Sequence, residues 1–269
     1  MQQLLLNQTI QTNGTLPQSL LQLILTNKTH YGSPAIWADT WRERLFKNPP
    51  ALINAWDFEW SSDEEIAENL IWLNPTTQAG LIFLPFGQTG AGDAYCLMPL
   101  DNNPNTPLHT WGVALIYHDD EYSKFISSSF SDFLYQNLMH CLADTSSYID
   151  SEISPEEAKL AVLTDIESIL ESVLTEFSPE QLAILQSIIK ELSALRNSVK
   201  TQPKRRVYKK KDTYEIISDD KSIPPETYSS LNELKKQYCY ISDVEFNAAL
   251  ALAPSPNLDE FKITYRWEI

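Results

Sequence analysis

The chain has 269 residues, 43% of them apolar and 11% aromatic, which is enough for one large core or two modest ones and excludes a disordered chain. Its formal net charge of −16 argues against a nucleic-acid or anionic-membrane partner and for a basic one. The excess lies wholly in residues 1–202, which hold 9 Lys+Arg against 25 Asp+Glu, whereas residues 203–269 balance at 11 against 11. Three widely spaced cysteines, Cys96, Cys141 and Cys239, match neither zinc nor redox spacing and read as buried free thiols of a reducing, cytoplasmic compartment. The N-terminal residues lack the basic start and long apolar run of a secretory signal, and no stretch approaches the length of a membrane span.

In chain order, Leu16 to Asn27 reads as an opening helix. The aromatic, charged segment from Trp37 to Trp60 is interrupted by Pro49 and Pro50 and has no legible order of elements. Six of the seven tryptophans fall in the first 111 residues, and core packing is the expectation for each. Ser62 and Glu65 form a capping box, after which Ile66, Leu70 and Leu73 recur at helical spacing until Pro75. Two short apolar runs, Leu81 to Phe86 and Ala94 to Leu97, flank a turn carrying Gly87, Gly90, Gly92 and Asp93. That pattern is strand, glycine turn, strand, with the Asp93 carboxylate placed to bond turn amides. A third strand, Val113 to Tyr117, ends in His118, Asp119, Asp120 and Glu121. A helix then starts at Ser129 with Phe130, Phe133, Leu134, Leu138 and Cys141 on one face.

Three stretches, Leu84-Pro-Phe-Gly-Gln-Thr-Gly-Ala-Gly-Asp-Ala-Tyr95, Val113-Ala-Leu-Ile-Tyr-His-Asp-Asp120 and Ser129-Phe-Ser-Asp-Phe-Leu134, resemble the SUKH superfamily, and the opening helix resembles that family's first helix. The family includes bacterial immunity proteins and fungal cell-wall assembly regulators. The resemblance covers roughly residues 15–142, about half the chain. It implies an α+β fold, a SUKH-like mixed sheet covered by helices. For a bacterial member it implies a cytosolic protein that binds a neighbour's toxin and blocks it.

Beyond about residue 145 the texture becomes helical, so the expected organisation is a SUKH-like domain over 1–145 and an extension over 146–269. Ser154-Pro-Glu-Glu157 and Ser178-Pro-Glu-Gln181 repeat one start signal. Leu163, Ile166, Leu170, Val173 and Phe177 mark one apolar stripe, and Leu182, Leu185, Ile189, Leu192 and Val199 mark the other, which predicts an antiparallel helical hairpin. The basic run from Lys204 to Lys211 reads as a solvated linker or a strand edge. After it come a strand at Tyr214 to Ile217, a helix near Tyr228 to Tyr240, a capped helix at Ser242 with Glu245, and a strand at Phe261 to Trp267.

Chemistry finds little support. The glycine turn lacks the Gly-Lys-Ser/Thr ending of a phosphate loop and leads into a strand. His118 to Glu121 cannot converge on a strand end without help from a turn or from a distant residue such as Asp93, and the histidines show no close pairing. The expectation is therefore a binding protein with no catalytic residues, cofactor or metal, and a basic cognate toxin as partner. The contact candidates are Asp119, Asp120 and Glu121 at the strand end and Asp63, Glu64, Glu65 and Glu68 on the capped helix. The other readings are a non-catalytic regulatory scaffold of the cell-wall assembly type, and a hydrolase built on Asp93 and the His118 to Glu121 cluster.

Overall fold

The computed structural model describes residues 14–264 apart from 152, 202 and 212, so the last residues of the expected Phe261 to Trp267 strand lie outside the described residues. The first half contributes α1 (Gln18–Leu25), α2 (Pro34–Lys47), β1 (Glu59–Trp60), α3 (Asp63–Trp72), β2 (Leu84–Gln88), β3 (Ala94–Met98), β4 (Gly112–Ile116), β5 (Tyr122–Ser127) and α4 (Phe130–Ala143). The second half contributes α5 (Pro155–Val173), α6 (Pro179–Ile189), α7 (Leu192–Thr201), β6 (Arg205–Lys210), β7 (Thr213–Ser218), β8 (Glu226–Tyr228), α8 (Leu231–Lys235), α9 (Asp243–Leu250) and β9 (Phe261–Lys262). The fold is α+β with a largely helical C-terminal region.

Six strands form one sheet in the order β1-β2-β3-β4-β5-β9, and β6-β7-β8 form a second. The sheet was expected to be mixed, but every described pair is antiparallel, from the tight hairpin of β2 and β3 to the long-range pair of β5 and β9. The strands in its middle are apolar on both faces. Leu84, Phe86, Tyr95, Leu97 and Val113 face the main core with α1, α4 and α5, whereas Cys96, Met98, Ala114 and Ile116 face Leu73, Phe83 and Ile263. β5 was not anticipated: Tyr122-Ser-Lys-Phe-Ile-Ser127 has no clean alternation of apolar and polar residues and lies in sequence between the acidic cluster and the Ser129 cap. It receives β9, with Tyr122 opposite Lys262 and Ser123 opposite Phe261.

Helix α5 is the centre of the molecule. Leu160, Val162, Leu163, Ile166, Ile169, Leu170 and Val173 join the cluster that includes Leu20, Phe86 and Leu138, while Ala158 and Ala161 join a second cluster with Val207, Ile216, Leu234 and Tyr238. A helix that gives apolar residues to two separate clusters is largely enclosed, and its Thr164, Asp165 and Ser168 are buried with them. The expected long second helix of the hairpin is broken at Lys190 and Glu191 into α6 and α7. The break lets Leu192 be buried while Glu191 reaches Lys159 on α5 at 2.7 Å. The basic run is the edge strand β6, where charged side chains suit an exposed edge, and its Arg205 pairs with Glu156 and Glu226.

Two burial expectations fail. Cys239 is exposed, unlike Cys96 and Cys141, because it follows the short helical turn that ends at Tyr238 and it is Tyr238 that enters the core. Trp56 is 81% exposed, since the chain turns outward there before β1.

Candidate functional site: an acidic groove at one end of the sheet

The register places Glu59 beside Gln88, Gln88 beside Ala94, and Ala94 beside Ile116, so the residues just beyond this row gather at one end of the sheet. There the glycine turn is held from outside. The Gly90 amide donates to Asp57 Oδ1 at 2.8 Å, and the Asp93 amide donates to Thr89 Oγ1 at 3.0 Å. The Asp93 carboxylate, expected on turn amides, instead accepts from the His118 amide at 3.1 Å and meets His118 Nδ1 at 2.8 Å. The long-range partner Asp57 satisfies the turn, which frees Asp93 for the next strand. Gly92 has φ +90°, where a β-branched side chain is strained. A Cβ on Gly87 would lie 2.6 Å from the Phe58 ring, whereas Gly90 has neither constraint, its nearest neighbour being 3.5 Å away.

Of the strand-end cluster, His118 and Asp119 stay near Asp93, and their ligand-type atoms lie within 4.8 Å of one another. Among the described residues these three are the set with metal-like spacing. Asp120 accepts from the Tyr122 amide at 3.1 Å, and Glu121 pairs with Lys262 at 2.5 Å, so the remaining two point into separate local contacts. The pairing orients the His118 imidazole through Nδ1. Full burial pushes the thiols of Cys96 and Cys141 well up, which keeps them protonated and out of nucleophilic chemistry.

The larger feature is a groove of about 980 Å³ between the entry to α2, the chain before β1 and the start of α3. Its acidic lining is Asp57, Glu59, Asp63, Glu64 and Glu65, and its aromatic lining is Tyr31, Trp37, Phe58 and Trp60. None of its lining residues is Lys or Arg. The basic group present, His30, has its pKa lowered, first by burial, which leaves the imidazole neutral near pH 7. Three of the carboxylates sit in the first turn of α3, where the helix dipole stabilises their charge. Glu65 is committed to structure: its carboxylate accepts from the Ser62 amide at 2.6 Å and from Gln88 Nε2 at 3.0 Å. Glu68 is exposed on α3 outside the groove, and Asp119, Asp120 and Glu121 lie at the same sheet end without lining it. Asp57 and Glu59 escaped the sequence reading, although Trp56-Asp-Phe-Glu-Trp60, carboxylates alternating with aromatics, is a usable signal.

The wall made by residues 48–57 is fixed by α5. Asp165, fully buried, accepts from the Leu52 amide at 3.2 Å and from Asn54 Nδ2 at 2.9 Å, and Tyr148 donates to Asn54 Oδ1. Burial pushes the Asp165 carboxyl up to about 7, against the opposing pull of those hydrogen bonds and of Lys28. Lys28 reaches Ser168 Oγ and Asn48 Oδ1, both at 2.5 Å, and Trp60 Nε1 donates to Ala51 O at 2.6 Å. Opposite, Ser33 caps α2 and Arg44 donates to the carbonyls of Tyr31 and His30, with its guanidinium 5.2 Å from the Trp37 ring.

No curated protein and no solved structure matches the chain. Residues 9–136, which include every carboxylate of the groove, the glycine turn and the His118 cluster, match the SMI1 / KNR4 family (SUKH-1). This N-terminal segment, just under half of the chain, is the part similar to the SUKH superfamily, and the match supports membership of it.

Proposed function

We propose that the protein is an immunity protein that binds a basic cognate toxin and neutralises it by contact, without cofactor or metal. The family fits immunity proteins and cell-wall-related regulators alike. The observation that favours a basic partner is the groove itself, whose charged lining is carboxylates alone. Such a surface accelerates encounter with a basic protein and does so less at high salt. No described helix is long and apolar enough to cross a membrane.

The test is a pull-down and kinetic assay with the product of the adjacent gene. Replacing Asp57, Glu59 and Glu64 together by the corresponding amides is expected to slow association about tenfold at low salt and to flatten its salt dependence. Association insensitive to both changes removes the electrostatic reading. An adjacent product that does not bind favours the non-catalytic cell-wall regulator instead, for which α6 and α7 are the remaining docking element, since α5 is buried.

A further inference from the structure

The second sheet ends on β6, which pairs with β7 alone, from Arg205 opposite Ser218 to Lys210 opposite Thr213. The Asp219 amide donates to Lys204 O at 2.8 Å, so Lys204 and Asp219 form a bonded pair that fixes the alternation along the ladder. Arg206, Tyr208 and Lys210 therefore direct their backbone groups at β7, whereas the amides and carbonyls of Arg205, Val207 and Lys209 point away from it. No hydrogen bond from another described residue reaches those outward groups. The same edge is basic and incompletely paired. Arg205 meets Glu156 and Glu226, and Lys210 meets Glu215 at 3.3 Å, but the exposed Arg206, Lys209 and Lys211 have no carboxylate partner among the described residues. At the start of the strand a cavity of about 260 Å³ is lined by Arg42, Lys204, Arg205 and Arg206. The carboxylate that joins them there, Glu157, is committed to the Ser154 amide at 3.1 Å. Unpaired main-chain groups along an edge invite an added strand, and the lysines and arginines that repel a second basic edge admit an acidic one.

We propose that the β6 edge takes an extended acidic segment of a partner protein by strand addition, the backbone of the segment bonding Arg205, Val207 and Lys209 and its carboxylates meeting Arg206, Lys209 and the cations of the cavity. The strand lies outside the family-matched residues 9–136, and the contact is independent of the one assigned to the acidic groove.

The experiment titrates the full-length protein with acetylated, amidated octapeptides that alternate Thr with Glu or Thr with Lys, at about 0.15 M salt, following affinity by calorimetry and backbone protection by amide hydrogen exchange. The expected result is the glutamate peptide binding about tenfold tighter than the lysine peptide. Its binding should slow exchange at the Arg205, Val207 and Lys209 amides and leave unchanged those of Arg206, Tyr208 and Lys210, which β7 already holds. Proline is tolerated on an edge strand where the amide faces outward, so Lys209→Pro should weaken the glutamate peptide about tenfold and spare the melting temperature. Lys209→Gln, which removes the charge alone, should weaken it about twofold. If Lys209→Pro lowers the melting temperature, the exchange pattern decides by itself. A glutamate peptide that does not bind, that binds no better than the lysine peptide, or that binds without protecting the three outward amides overturns the proposal. So does salt-sensitive self-association without peptide that Lys209→Pro abolishes, because it assigns the edge to a second copy of the chain.

Discussion

Helices α5 and α6 open with the same Ser-Pro-Glu signal and the same capping box, yet α5 is enclosed through its middle turns while α6 buries one side, at Gln181 and Leu185. Their difference lies in what their polar residues meet. On α5, Thr164 bonds back to Leu160 O at 2.7 Å, Ser168 receives Lys28, and Asp165 receives Leu52 and Asn54. Polar residues at helical spacing therefore mark solvent only where no distant segment arrives to satisfy them. Here residues 48–57 and Lys28 arrive, and they bring the groove wall with them.

The sharpest way to break this contrast is to remove α5. A chain ending at residue 145 also loses β9 and is expected to show no cooperative thermal unfolding by circular dichroism, because a large apolar seat for α5 would be left open and Lys28, Leu52 and Asn54 would lose their partners on it. A cooperative melt would make α5 an accessory. Next in size, Leu163→Ala on α5 should cost about 2–5 kcal/mol in urea unfolding, against about 1 kcal/mol for the half-buried Leu195 of α7. Equal costs would erase the distinction between the two helices.

Asp165 tests the polar side of the comparison. Its folded-state carboxyl holds a proton that the unfolded chain has released, so its contribution is full below the unfolded value near 3.8 and is lost as pH rises through about 7. Asp165→Asn should lower stability at pH 4 and flatten the fall toward pH 7. The variant-minus-wild-type difference should thus shrink by on the order of 3 kcal/mol across that range. A difference constant with pH would mean that Asp165 is ionised throughout. As a control remote from both helices, Gly92→Val should cost about 1–3 kcal/mol through its positive φ and Gly90→Val distinctly less, both read from melting temperature. Smallest of all, breaking the Lys159 to Glu191 pair that links α5 to the start of α7 with Glu191→Gln should change stability by about 0.5 kcal/mol or less, because Glu191 is exposed. A larger loss would mean that the break before α7 depends on that pair.

What the sequence made legible was local. The boxes at Ser62, Ser154, Ser178 and Ser242 are all formed, and the apolar stripe from Leu163 to Phe177 is buried as its spacing implies. α2 was readable in principle, since Ser33-Pro34 is the same start signal, but Pro49, Pro50 and the crowding of tryptophans obscured it. What stayed hidden depends on contacts across long separations. Asp165 meets Leu52 across 113 residues and Asp57 meets Gly90 across 33, and no spacing rule encodes either. The two acidic groups looked unrelated for the same reason. Only the register through Gln88, together with its bond to Glu65, places them at one sheet end.

The pairing of β9 with β5 bears on synthesis. Tyr122 waits for Lys262, the Glu121 carbonyl for the Ile263 amide, and Gln78 for the Thr264 amide, so the sheet's far edge closes only after residue 264 has left the ribosome. Until then β5 offers an open ladder of backbone groups, and one face of the sheet lacks Ile263. Nascent chains stalled before residue 260 should consequently be cut readily by protease within residues 112–127, and chains long enough to release residue 264 should resist.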